Sequence, residues 1–329
     1  TPQEANISGD NVPDELLASQ MAKVTYAHLP KAILSETNPQ KKRRKLINWF
    51  KKNLLALHDA FPEGVRARAT HWYDGANRIA KELGNQFQAS VEQASGVIAV
   101  FSPQKDWFMN VAQAEQFIEL WTNSQDVVLE ESLVRAEIEG IIEAATAPAK
   151  QNRKKVDGET KEQTAERREY NKALDERAKV DRRKKVEQVI GKTIRQLDAE
   201  PDLQGWAIRV LAQITFGRNY RNLSPEGDRL GMAANDDGAL SKNGWGSINE
   251  IEKAVRIMKD GSLKNISDNL GNEHKVRNFY NNIVAPNTPY GDATIDTHAV
   301  AAAHLMPYGA KATEVGHNFG SGMNGSEVL

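Results

Sequence analysis

The sequence predicts a mainly α-helical protein, and three observations carry that reading. Apolar residues recur at three- and four-residue steps over much of the chain, the mark of helices with one buried face. Alternating apolar and polar runs, which would announce strands, are nearly absent. Residues 149–195 hold 16 Lys and Arg against 9 Asp and Glu with few large apolar side chains, the composition of a long solvated helix or helical hairpin.

Taken in order, residues 1–13 are polar and aperiodic and read as a flexible arm. From Asp14 the spacing of Leu16, Leu17, Met21 and Val24, then of Leu46, Ile47, Phe50, Leu54, Leu55 and Leu57, predicts two helices that end before Phe61-Pro62-Glu63-Gly64. A third helix is expected over Arg66 to Leu83, stopped by Gly84. Val91 to Val100 reads as a buried helix closed by Pro103, and a further helix runs from Trp107 to about Trp121. The charged stretch 149–195 has the look of an insertion, with Asp157–Lys161, Asp175–Lys179 and Asp181–Lys185 spaced for i,i+4 support. A helix resumes from Gly205 to Phe216. Residues 217–247, crowded with Gly, Asn, Asp and Ser, are expected to be one long loop. Ile248 to Met258 is a clean amphipathic helix with Ser247 as N-cap and Gly261 beyond its end. The expected organisation is a helical body of two subdomains over 14–148 and 196–329, interrupted by a charged helical insertion at 149–195.

Composition narrows the chemistry. The 43 Lys and Arg nearly balance 44 Asp and Glu, so a case for a polyanionic partner rests on local patches. With no cysteine there is no disulfide, no thiolate zinc site, no cysteine-held iron–sulfur cluster and no Cys nucleophile. No run approaches 18 apolar residues and the N-terminus lacks a signal pattern, so a cytoplasmic protein without a membrane partner is expected. The chain opens on Thr1 and stops at Gly-Ser-Glu-Val-Leu, as expected of a sequence trimmed at both ends. Gly244-Trp-Gly lacks the strand context and the Lys of a nucleotide-binding loop. His298, His304 and His317 raise a metal hypothesis. The six-residue step from His298 to His304 is not a helical i,i+4 pair, and no carboxylate completes a known pattern, so no metal or other cofactor is assigned.

Three segments carry functional chemistry. Leu263 to Ile283 reads as a short helix, a Gly-bearing turn at Gly271, and a second helix with Val276, Phe279 and Ile283 on one face. Such a turn can point backbone N–H groups at a phosphate. Ile295-Asp296-Thr297-His298-Ala299 starts a helix, with Asp296 a favoured N-cap. Upstream, Phe101-Ser-Pro-Gln-Lys-Asp-Trp-Phe-Met-Asn110 ends one helix and opens the next. There Gln104 is suited either to hydrogen-bond a flipped base or to cap the following helix, and Trp107 either to stack on a base or to join the core. Lys41-Lys42-Arg43-Arg44-Lys45 is a compact basic run that reads as a solvated helix start or, together with the insertion, as a track for DNA phosphates.

The order and spacing of these segments resemble the helix-hairpin-helix DNA glycosylase superfamily. Its hairpin is of the type Leu-Pro-Gly-Val-Gly-x-Lys, followed about twenty residues later by Val-Asp-Thr-His-Val. Aligned on Lys275, the chain matches at Gly271, Lys275 and Ile295-Asp296-Thr297-His298-Ala299, and the 101–110 segment is similar to the Leu-x-Gln-Gln-Thr stretch beside the base pocket. It departs at Asn269, at Leu270 and at Glu273, where a carboxylate stands in place of the second hairpin Gly.

The resemblance implies a helical glycosylase-like fold and DNA as partner. It further implies Asp296 as the carboxylate that supports an oxocarbenium-like sugar, Lys275 as a Schiff-base amine, Gln104, Trp107, Asn110 and His298 at a base pocket, and Gly271 on the DNA backbone, to which the charge of the 41–45 run would add. A base-excising glycosylase, with or without lyase action, is the first expectation. The divergent hairpin and large insertion also resemble the phage α-glutamyl/putrescinyl thymine pyrophosphorylases, amino acid:DNA transferases acting on activated 5-hydroxymethyluracil, which would place the protein in a bacterial host's cytoplasm. A non-catalytic DNA-binding protein on the same scaffold is the third.

Overall fold

The computed structural model describes residues 14–103, 105–144, 153, 158–216, 219–245, 247–271, 274–288, 292–309 and 312–318. The expected arm at 1–13 lies outside them, as do Gln104, Glu273 and most of residues 149–157 of the insertion. The chain divides into two compact units. One gathers the chain up to Thr70, Asn272–Phe279 and the chain from Tyr290; the other is His71–Gly271 with Tyr280–Pro289. Both are built mainly from α-helices, as expected.

In the first unit lie α1 (Asp14–Lys23), α2 (Lys31–Leu34), α3 (Pro39–Ala60) and α4 (Glu63–Ala69). Helix α3 starts where Asn38 accepts the N–H of Lys41 with Pro39 at the first turn, a pairing that satisfies one end donor and removes another. Leu17, Met21, Val24, Tyr26, Leu29, Ile33, Leu46 and Phe50 form its core together with Ala303. The expected third helix is in fact two, because the chain breaks at Thr70 and His71. The Thr70 hydroxyl bonds back to Ala67 O at 2.7 Å, and helix α5 (Trp72–Phe87) then continues through Gly84 to Gln88, which adopts φ +56°. Gly84 is there for close approach rather than as a stop: a Cβ on it would lie 2.8 Å from Ala89 O.

The second unit is organised around α6 (Val91–Phe101). The Ser90 and Gln93 side chains form a capping box at its start, and every residue from Ala94 to Phe101 is buried. Helices α5, α7 (Trp107–Asn123), α11 (Ile248–Lys259) and α12 (Leu263–Leu270) pack on it. Gly96 allows close approach, since a Cβ would meet Ile257 and Ile266 methyls at 3.3 Å. Ser247 stands at the N-cap of α11 as expected, without a side-chain cap bond.

Helices α8 (Glu131–Ala144) and α9 (Lys161–Val189) pack on α10 (Pro201–Phe216), which is itself buried from Leu203 to Ala212, and the charged insertion carries a helix of 29 residues. Its charges work between elements more than the i,i+4 spacing suggested. Lys179 reaches Glu143 at 2.7 Å, Arg183 reaches Glu139 at 2.6 Å and Lys185 reaches Asp202 at 2.5 Å. The expected loop 217–247 is corrected too: it holds an antiparallel pair, β1 (Arg221–Leu223) and β2 (Arg229–Met232), with further bridges at Asn219–Lys242 and Ala234–Leu240.

A pair of identical substitutions tests this packing. Gly75 lies on α5 with Pro225 O only 2.1 Å from the position of a Cβ, whereas Gly140 on α8 meets nothing nearer than 3.9 Å. Gly75→Ala is expected to destabilise the second unit by about 1–3 kcal/mol through overpacking. Gly140→Ala should stabilise it by about 0.5–1 kcal/mol through helix propensity. Thermal melts of the two variants should therefore shift in opposite directions.

Candidate functional site

Helix α13 (His274–Val284) carries Lys275 in its first turn, after Gly271 has ended α12 at φ +71°, ψ −161°, a conformation only glycine adopts without strain. Asn278, three residues on and therefore beside Lys275 on the helix surface, donates from Nδ2 to Ala293 O at 2.7 Å. That bond brings the segment 292–296 back to α13 shortly before α14 (Thr297–His304) begins. Asp296 is the N-cap of α14: Oδ1 accepts the Ala299 N–H at 2.8 Å, while Oδ2 has no hydrogen-bond partner among the described residues. Lys275 and Asp296 are both partly buried, and the described structure unites their segments in the first unit.

The other expected residues are distributed differently. His298 is exposed on the first turn of α14. Trp107 and Asn110 belong to the second unit. Trp107 is half-buried with its ring 5.6 Å from that of Trp72. Asn110 is inside the core, and its Oδ1 is buried without a partner. The N-cap of α7 is Asp106, which accepts the Met109 N–H at 2.8 Å and the Tyr220 hydroxyl at 3.1 Å. The basic run is uneven. Lys41 and Arg44 are exposed, Arg43 is half-buried, Lys42 is buried with its ammonium pulled below the ordinary lysine range by desolvation, and Lys45 bonds Glu36 at 2.7 Å.

Two features escaped the sequence. Lys105, beside Gln104, forms a short ion pair with Glu250 of α11; the two side chains are only 5% and 14% exposed. Burial raises the Glu250 carboxyl above its usual range, against the pull of Lys105. In the first unit, His28, His304 and His317 converge with Tyr26, Tyr308 and Glu314 around the end of α14. His304 and His317 had drawn attention as metal ligands, but among the described residues no group of three or more His, Asp and Glu side chains could hold a metal ion. An open groove of about 680 Å³ between α5 and residues 284–288 has Arg78 on its wall, already paired with Asp228 at 2.7 Å, and contains neither Lys275 nor Asp296.

Fold and site together define a mainly helical protein with an amine and a carboxylate carried on adjoining segments. Residues 36–228 match a family of unknown function (DUF7178), and the chain belongs to that family. The matched span includes the 101–110 segment and the long charged helix, and it ends before α12 to α14. No curated protein and no solved structure matches the chain. Among the described residues no helix is long and apolar enough to cross a membrane.

The Lys105–Glu250 pair yields a stability test. Lys105→Met alone leaves a buried carboxylate unpaired and should cost about 3–5 kcal/mol, whereas Lys105→Met with Glu250→Gln should recover a large part of that loss. Urea titrations of the two single variants and the double variant measure the coupling, and additive losses would contradict a working pair.

Proposed function

We propose that this protein acts on DNA as a base-excising glycosylase of the helix-hairpin-helix kind, using Asp296 and Lys275 on a modified base. The observation that carries the reading is the 2.7 Å bond from Asn278 to Ala293 O, which draws the Asp296 segment to the helix face bearing Lys275. Because Asp296 caps α14 through one oxygen, the other is available to a cationic sugar. A carboxylate at that position stabilises the charge that develops as a glycosidic bond lengthens.

In the reaction the bond from C1′ to the base nitrogen breaks, its electron pair leaves with the base, and the base takes up a proton. The Lys275 nitrogen supplies the pair for the new bond to C1′. Loss of a proton from that nitrogen and opening of the sugar ring give the Schiff base. The base must leave the stack first. The exposed Lys41 and Arg44 are suited to phosphates.

Duplexes carrying a panel of damaged or hypermodified bases should release free base. Asp296→Asn should reduce that release by roughly 10²- to 10³-fold, on the scale of losing one electrostatic stabiliser. Asparagine caps helices about as well as aspartate, so the variant isolates the charge from the fold. No release from any substrate contradicts the proposal. A heavier thymidine analogue on an uncut strand would instead assign the site to amine transfer onto activated 5-hydroxymethyluracil, with the glycosidic bond intact. Full activity in the host for both Asp296→Asn and Lys275→Ala, with loss on neutralising residues 41–45, would leave a DNA-binding protein.

A further inference from the structure

The polar cluster at the end of α14 has no part in the chemistry above, and the geometry points to a proton-operated anchor. The His28–His304 contact holds α14, the helix that begins at Asp296, while the pair carries no more than one proton, and releases it when both imidazoles are charged. The inference is independent of which reaction Asp296 performs.

His28 Nε2 and His304 Nδ1 are 2.9 Å apart, a separation that fits one hydrogen between two ring nitrogens. With both rings protonated, two N–H groups and two positive charges would face each other at that distance. Little is present to relieve them. His304 is 3% exposed and boxed by the rings of Tyr26, Trp49, Phe50 and Tyr308, with centroids 4.8–5.7 Å away, and its Nε2 has no hydrogen-bond partner.

The groups that face the pair can be taken element by element. The segment after α1 contributes the Tyr26 hydroxyl, bonded to His317 Nδ1 at 2.7 Å. From α3 come only the uncharged Trp49 and Phe50, and Lys45, one turn earlier, is held by Glu36 and Ala32 O. The segment after α14 brings the Tyr308 hydroxyl to 3.1 Å from His28 Nε2. Helix α15 (Thr313–Asn318) brings Glu314, 3.7 Å from His28 Nδ1, and His317, on which Lys23 acts. One carboxylate can balance one imidazolium, and it stands beside His28. A second proton has to go to the buried ring. Burial first, and His28 second, hold the His304 imidazole down to about 4.

The folded state therefore prefers neutral His304. That preference stabilises the anchor fully above the ordinary histidine value near 6.5 and is lost as pH falls toward 4. The effect reaches Asp296 because α14 has only eight residues, too short to persist without its anchors. Two further fixings lie at the same end. Asn53 donates to Ala303 O at 2.8 Å, and Leu305 at φ +52° turns the chain so that Tyr308 returns to His28.

Hydrogen exchange on the full chain, corrected for intrinsic rates, tests the anchor between pH 7.5 and 4.5. The α14 amides, that of Ala299 included, should lose protection by roughly 50- to 100-fold, while amides of α6 and α10 hold theirs. In His304→Gln the pH dependence should vanish, and in His28→Gln, whose wild-type side chain is 22% exposed, it should shrink. If His304→Gln does not fold, His28→Gln decides by the same criterion. Protection of α14 that ignores pH in the wild type, or an acid loss of equal size in the variants, overturns the inference.

Discussion

Helix α6 is apolar on every side, and from Ala94 to Phe101 none of its side chains reaches solvent, so neighbours must cover it all round. That constraint organises the second unit. It draws α5, α7, α11 and α12 onto one axis and requires Gly96 where Ile257 and Ile266 come closest. The chain leaves α6 at Ser102. Ser102 is buried there and Lys105 follows, its charge met by Glu250 from α11. A buried ion pair is a poor source of stability but a demanding specifier of geometry, because each partner is costly alone. The segment compared with a base-pocket stretch is thus held from both sides.

The first unit is closed by a different means. Its core of Leu17, Met21, Val24, Leu46 and Phe50 takes in Ala303 from near the other end of the chain. The polar contacts that complete it, Asn53 to Ala303 O and His28 to His304, join residues more than two hundred positions apart. Such contacts fix the far end of α14, while its near end is capped by Asp296. One short helix thereby joins the candidate carboxylate to the protonation state of a buried histidine.

Much of this was legible in the sequence where local chemistry decides structure. The run Val91–Val100 fits a buried helix or strand by periodicity, and its helical neighbours decide for the helix that is found, while Asp296 before Thr-His-Ala reads as a cap on sight. The break at Thr70 and His71 was not legible, because neither residue is a Gly or Pro and the break rests on a hydroxyl bonding back to Ala67. Strands β1 and β2 are three and four residues long, too short for alternation to register. Tertiary returns were invisible as well. Nothing local ties Asn278 to Ala293, and no spacing rule connects His28 with His304. Lys42 shows the opposite failure: a run of five basic residues suggests a solvated stripe, yet α3 turns one of them inward.

The account stands or falls on Lys275 and Asp296 forming one site. Borohydride reduction during incubation with lesion-bearing DNA, followed by peptide mapping of the covalent adduct, tests that most directly, because only an amine that has formed a Schiff base becomes fixed. The account predicts an adduct on the peptide containing Lys275 that is lost in Lys275→Ala and strongly reduced in Asp296→Asn. An adduct on a different lysine, or base release with no adduct on any lysine, would contradict it.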